Sequence, residues 1–190
     1  AAAASVAVVL LAPEPAVRLD GSAARNWSPL VRDRETRVPR LLDPSSVELL
    51  ASGFDVREAR ETRYHRMLVV EDEDSRYLRF DSSFQSGMSL DDPFRTRFAY
   101  TDYLQLGFAY KPDATRVLVI GLGGGAAPKR IWRDFGDVEV TTVELDPDVV
   151  DAAYRWFALP RDERLPVVVG DGRRYLRETD GRWDVIVVDA

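Results

Sequence analysis

Between Arg116 and Val188, four short runs of Val, Ile and Leu alternate with helix-forming stretches, and this rhythm constrains the fold most. The runs are Val117–Ile120, Val138–Glu144, Val167–Val169 and Asp184–Val188. They are apolar on successive residues rather than on alternate ones, so both faces of each strand must be covered. The intervening stretches supply the cover. One follows the glycines at 121–125 and has Pro128 in its first turn; one opens at Asp146-Pro147 and runs to Trp156; a short one ends at Glu178. A βαβαβαβ order predicts an α/β fold with a doubly wound parallel sheet. The last apolar run meets Asp189-Ala190, which leaves the predicted sheet truncated after its fourth strand. A bare apolar edge strand is unfavourable, so the chain is expected to be a piece of a longer protein.

The part before this sheet reads differently. Tyr64 to Val70 is β-rich, Glu71-Asp72-Glu73-Asp74-Ser75 forms a charged tip, and Arg76 to Asp81 alternates polar and apolar residues. That pattern predicts a β-hairpin. Ser45-Ser46-Val47-Glu48 has capping-box spacing for a short helix closed by Gly53. Tyr100, Tyr103, Leu104, Gly107 and Phe108 share one helical face, and Lys111-Pro112-Asp113 stops that helix. Residues 13–44 read as linker. Ala1 to Ala12 is apolar except for Ser5 and too short to span a bilayer, so it reads as a loose terminus or as the last third of a membrane helix. The expected organisation is an apolar segment and linker over 1–44, a small β-rich domain with a connecting helix over 45–110, and a ligand-binding domain, incomplete at its C-terminus, over 111–190.

Composition removes several classes of function. The net charge is −6, and both parts of the chain are acidic, so nothing supplies the basic excess that nucleic-acid binding requires. The absence of Cys excludes disulfides, thiolate metal sites and thiol nucleophiles. A single His, His65, excludes multi-His metal centres, and no metal site is expected. His65 itself reads as a strand residue.

Four features fall at strand C-terminal ends, where doubly wound sheets bind ligands. Gly121-Leu122-Gly123-Gly124-Gly125-Ala126 lets the backbone turn sharply, approach a ligand and present a helix N-terminus. Glu144 ends the second strand, placed to accept both hydroxyls of a ribose. Asp171, between Gly170 and Gly172, accepts from an adenine amino group or caps the next helix. Asp189 ends the fourth strand, a place for a general base or a cation-binding carboxylate. Together these predict a nucleoside-binding domain. Gly121, Gly123 and Ala126 also satisfy G-x-G-x-x-A, so a dinucleotide dehydrogenase stays open.

On these motifs the chain resembles the spermidine synthase (polyamine aminopropyltransferase) family, a branch of the Rossmann-like S-adenosylmethionine-dependent methyltransferase fold. The resemblance runs from about Tyr64 to Asp189. Val117 to Gly125 is similar to the family's glycine motif, Val143-Glu144-Leu145-Asp146 to its ribose-holding segment, and Val169-Gly170-Asp171-Gly172 to its adenine-binding segment. Val187-Val188-Asp189 resembles the strand that ends in the catalytic Asp. Arg79 to Gln85 is similar to a donor-binding segment of the N-terminal β-domain, and Tyr100 stands where the family has a substrate-contacting Tyr. The resemblance implies Asp189 as catalytic residue, Gly121, Gly123, Gly125, Glu144, Asp171, Gly172 and Gln85 as nucleoside-binding residues, and Tyr100 as an amine-binding residue. It implies decarboxylated S-adenosylmethionine or S-adenosylmethionine as co-substrate and an amine such as putrescine as acceptor. It further implies a cytoplasmic location, a membrane-spanning region ahead of this chain as in a membrane-fused bacterial branch, tethering to the inner face of that membrane, and a homodimer.

The chain departs from the pattern at four places. Gly124 stands where the family has an Asp that grips the aminopropyl end of the donor. His65 replaces a Gln after Tyr64, Thr101 follows Tyr100 where Gln or His is usual, and a second terminal Asp would lie beyond Ala190. Two alternatives therefore stay open: a methyltransferase, and a non-catalytic domain that binds nucleoside or polyamine for an attached membrane region. On sequence alone, Gly124→Asp is expected to shift preference toward the decarboxylated donor.

Overall fold

The computed structural model describes residues 52–190, together with the backbones of three earlier strands: β1 (Val6–Val9), β2 (Leu30–Arg32) and β3 (Pro39–Leu41). The expected capping-box helix at Ser45 lies outside the described residues. The four apolar runs become β8 (Arg116–Ile120), β9 (Glu139–Glu144), β10 (Val167–Val169) and β11 (Val185–Val188). They are parallel, in the order β11-β8-β9-β10, so the chain passes from β8 outward to β10 and returns to the other side of β8. This reversal opens a crevice at the C-terminal ends of β8 and β11. The expected fold class holds, with one addition. The sheet does not stop at four strands, because β1 pairs in parallel with β11, Val6 opposite Val185. Extended backbone at Val6–Val9 replaces the helical reading of the apolar terminus, and among the described residues no helix is long and apolar enough to cross a membrane.

Three helices cover the sheet: α3 (Ala126–Asp134), α4 (Pro147–Trp156) and α5 (Gly172–Glu178). Helix α4 starts as its sequence requires. The Asp146 side chain accepts from the Asp148 N–H, Pro147 occupies the first turn, and Asp148 lies at the positive end. Its apolar face, Val149, Ala152 and Ala153, is buried. Val117, Leu118, Val119 and Val187 have no exposed surface, which explains the unbroken apolar runs.

The hairpin grows into a four-stranded antiparallel sheet: β4 (Asp55–Glu61), β5 (Arg66–Glu71), β6 (Ser75–Phe80) and β7 (Ser83–Ser89). Strand β5 carries apolar residues on both faces. Met67 and Val69 pack on Val149, Ala152 and Phe157 of the α4 region, while Leu68 and Val70 meet Phe54, Tyr77 and Phe84. Polar contacts tie this sheet to α4. Arg60 reaches Asp148 at 2.6 Å and Asp151 at 3.1 Å, and the Trp156 indole donates to Glu58 at 2.5 Å. Within the stretch read as linker, β2 and β3 pair antiparallel.

Two expectations need correction. The helix at 100–110 is broken into α1 (Tyr100–Tyr103), a 3₁₀ turn over Leu104–Leu106 and α2 (Gly107–Tyr110). The tighter turn shifts the face, so Leu104, Gly107 and Phe108 are buried while Tyr103 is 57% exposed. Gly107 permits this by lying against Val185, whose Cγ1 is 2.6 Å from where a Cβ would stand. His65 is not in a strand. It lies in the β4–β5 turn, stacked on Phe80 at 3.6 Å, with Nε2 3.4 Å from Asp146 Oδ2.

One buried residue opposes stability. Lys129 on α3 is 2% exposed, and among the described residues no carboxylate lies within ion-pair distance of its ammonium. Burial therefore pushes the amine down to about 8 from an ordinary 10.5. The unfolded chain holds this proton more tightly than the folded one, so stability rises with pH between those values. Measured by urea denaturation, wild type is expected to gain on the order of 2–3 kcal/mol relative to Lys129→Met between pH 8 and pH 10. Parallel stability curves for the two proteins would contradict the assignment.

Candidate functional site

The glycine loop joins β8 to α3 at the crevice. Gly121 has φ +94°, and a Cβ there would lie 2.1 Å from the Asp189 carbonyl oxygen. Only glycine allows the two strand ends to meet so closely. The Asp189 N–H donates to the Ile120 carbonyl at 2.8 Å, which fixes Asp189 beside the loop. Gly125 is left-handed at φ +74° and precedes the first residue of α3.

Asp189 and Tyr100, 89 residues apart in sequence, meet at this point. The Tyr100 hydroxyl donates to Asp189 Oδ2 at 3.4 Å. Burial pushes the Asp189 carboxyl above the usual carboxylate range, and the Tyr100 hydrogen bond opposes that only in part. Burial and the neighbouring carboxylate push the Tyr100 phenol up as well, so it stays a proton donor.

Glu144 connects the loop to a cleft. Its Oε2 accepts from the Leu122 N–H and its Oε1 from the Asp146 N–H, both at 2.9 Å. A carboxylate offers about four lone-pair sites, so each oxygen keeps one for a ligand hydroxyl. Next to Glu144 opens a cleft of about 570 Å³, lined by Arg63 and Tyr64 from the β4–β5 turn and by Leu145, Asp146, Asp171 and Tyr175 from the parallel sheet and its helices. Asp171 faces this cleft and also caps α5, accepting from the Arg174 N–H at 2.8 Å. Of its two sequence readings, capping is the interaction it makes in the structure. Gly172 passes Ile120 so closely that a Cβ would lie 2.4 Å from Cγ2. Gln85 is the extra residue of a β-bulge: Arg79 pairs with Phe84 and Leu78 with Ser86, leaving Gln85 without a partner across the ladder. Bulges of this kind redirect a side chain away from the regular alternation.

Sequence reasoning missed Ser86. It is buried on β7, and its Oγ accepts from the Gly124 N–H at 2.8 Å. No spacing could have shown a contact across 38 residues between two sheets. The same contact bears on Gly124→Asp. A Cβ at 124 would lie 2.9 Å from both Phe157 Cδ1 and Ser86 Cβ, inside the core. Among the described residues no group of His, Cys, Asp and Glu is arranged to hold a metal ion.

Residues 97–190 match the family model for the spermine/spermidine synthase domain. Over these residues, just under half of the chain, the sequence is similar to a spermine/spermidine synthase domain. The likeness extends beyond the domain: a polyamine aminopropyltransferase of Vibrio vulnificus is 29% identical over 154 residues, covering 74% of this chain and 52% of the relative. An eEF1A lysine and N-terminal methyltransferase of Danio rerio is 43% identical over 84 residues, covering 42% of this chain and 12% of the relative. A probable spermidine synthase from Corynebacterium glutamicum superposes with a TM-score of 0.63 at 22% identity, over 70% of this chain and 51% of that one. The chain spans about half the length, or less, of these curated relatives.

Gly124→Asp is expected to destabilise the protein by about 3 kcal/mol or more, since it combines overpacking with a buried charge. Urea denaturation measures the loss. An unchanged midpoint would mean that the loop relaxes freely.

Proposed function

We propose that this chain binds a sulfonium nucleoside, decarboxylated S-adenosylmethionine or S-adenosylmethionine, and transfers an aminopropyl group to a small amine such as putrescine. One observation carries the reading: a half-buried carboxylate, Asp189, held against a protonated phenol, Tyr100, and the glycine loop at the sheet's reversal point. Glu144 receives the ribose hydroxyls, and the cleft walled by Leu145 and Asp171 receives the base. Gly121, Gly123 and Gly125 shape the loop, Gly172 keeps the cleft floor close to β8, and Gln85 reaches the donor from the bulge. In this division of labour residues 45–110 close the site and residues 111–190 hold the nucleoside.

The chemistry is a displacement. The amine nitrogen attacks the carbon beside the sulfonium, a C–N bond forms, the C–S bond breaks, and the thioether leaves neutral. The nitrogen gives a proton to Asp189. Positioning two reactants at one place, together with a base, supplies the acceleration. Tyr100 keeps its proton and orients the Asp189 carboxylate.

A second reading, methyl transfer from S-adenosylmethionine, draws support from Gly124. The position at which the family resemblance expects an anion for the aminopropyl ammonium is filled by Ser86 and Phe157. Incubation with each donor in turn, with mass analysis of the amine product, separates the two. Gain of an aminopropyl group supports the first reading; gain of a methyl group supports the second.

Two further outcomes test the site. Glu144→Ala is expected to weaken binding of methylthioadenosine by about 1.5–3 kcal/mol, the worth of a charged hydrogen bond; equal affinity in calorimetry would remove Glu144 from the ribose site. Asp189→Asn is expected to lower turnover by about 10²–10⁴-fold. Protonation of the wild-type carboxylate removes the base, and its raised carboxyl places the acid limb of the rate profile above pH 3.8. That limb should vanish in Asp189→Asn.

A further inference from the structure

Lys129 is a buried titratable group near the site for which the proposed chemistry has no use. Its ammonium donates to the Phe157 carbonyl at 2.7 Å and lies 3.4 Å from the Met88 sulfur. Phe157 is the residue that ends α4, and its ring supports Gly124 from below; Leu159, two residues on, does the same for Gly125. Lys129 and Gly124 also line one cavity of about 10 Å³ together with Ser86 and Phe157. The lysine thus grips the segment on which the glycine loop rests, and it does so from the helix that the loop begins.

We infer that Lys129 is a positioning residue for the glycine loop, setting the place of Gly124 through its hold on the Phe157 carbonyl. A buried ammonium without a carboxylate partner costs stability, whereas a methionine of similar length would pack there without that cost. A group kept at such cost beside a candidate site is a functional candidate. The consequence for donor binding rests on the nucleoside reading above; the effect on the loop does not.

The charged groups around Lys129 are few. Asp92, in the segment after β7, favours its protonated form. Arg95 lines the same cavity and pairs with Asp91. On its own helix, Arg130 pairs with Asp102 and Asp134, and Arg133 with Asp134. Strand β7 offers the neutral Ser86 and Met88, and the end of α4 offers the Phe157 carbonyl. With the amine titrating at about 8, the grip weakens across mildly alkaline pH.

The test follows the backbone amide signals of Gly123, Gly124 and Gly125 by NMR in the ligand-free chain from pH 6.5 to 9.5. Wild type is expected to show one titration with a midpoint near 8 at Gly124, whose amide is shielded by its bond to Ser86. Lys129→Met should abolish the titration. Lys129→Arg, which keeps its charge throughout this range, should abolish it while leaving the signals near their acid-side positions. Flat wild-type signals, or a titration that persists in Lys129→Met, would overturn the proposal. Calorimetry with S-adenosylhomocysteine at pH 7 and pH 9 adds the consequence: wild-type affinity should fall about 3- to 10-fold, and that of Lys129→Arg should not. A titrating loop in a chain that binds no nucleoside at either pH would uphold the positioning role and refute the nucleoside reading.

Discussion

The hydrogen bond from the Gly124 N–H to Ser86 Oγ joins the two sheets at the point where the candidate site is built. A glycine-rich turn has more conformational freedom than any other sequence of its length, and a site made from one must remove that freedom. Here the loop is held from three sides. Ser86 reaches it from β7, the Asp189 backbone closes on Gly121, and Phe157 and Leu159 fill the space beneath Gly124 and Gly125. Glu144 adds a fourth contact through the Leu122 N–H. The glycine loop is therefore preorganised by the protein, and little ordering is left for a ligand to bring about.

The same construction separates two electrostatic environments. Above the sheet, Asp189 and Tyr100 share a partly desolvated pocket in which the phenol remains a donor and the carboxylate is made more basic. Below the loop, Lys129 sits in an apolar surround that destabilises its charge. Each shift comes chiefly from burial: Tyr100 packs on the core of the parallel sheet, whereas Lys129 is enclosed by Met88 of the antiparallel sheet and by Phe157 at the end of α4. Arg60 and Trp156 fasten the antiparallel sheet to α4.

Most of the parallel sheet was legible in the residues. Unbroken apolar runs announce strands covered on both faces, and Asp146-Pro147 marks a helix start, because both signals come from interactions within a few residues. The strand ends that carry Glu144, Asp171 and Asp189 could be placed for the same reason. The helix at 100–110 shows where local periodicity fails: Gly107 must meet Val185, the turn tightens, and Tyr103 leaves the buried face.

Sequence alone determined the order of strands and helices in the parallel sheet, the residue types at each strand end, and a likeness to aminopropyltransferases. The first two depend on hydrophobic period, capping and turn chemistry, all of short range, and the likeness rests on the motifs at the strand ends. Tertiary structure alone decided that Tyr100 meets Asp189, that Ser86 binds Gly124, that Gln85 occupies a bulge, and that position 124 has no room for a carboxylate. Each of these depends on two surfaces packing together, and a linear pattern carries no information about which side chain will fill the space left by another.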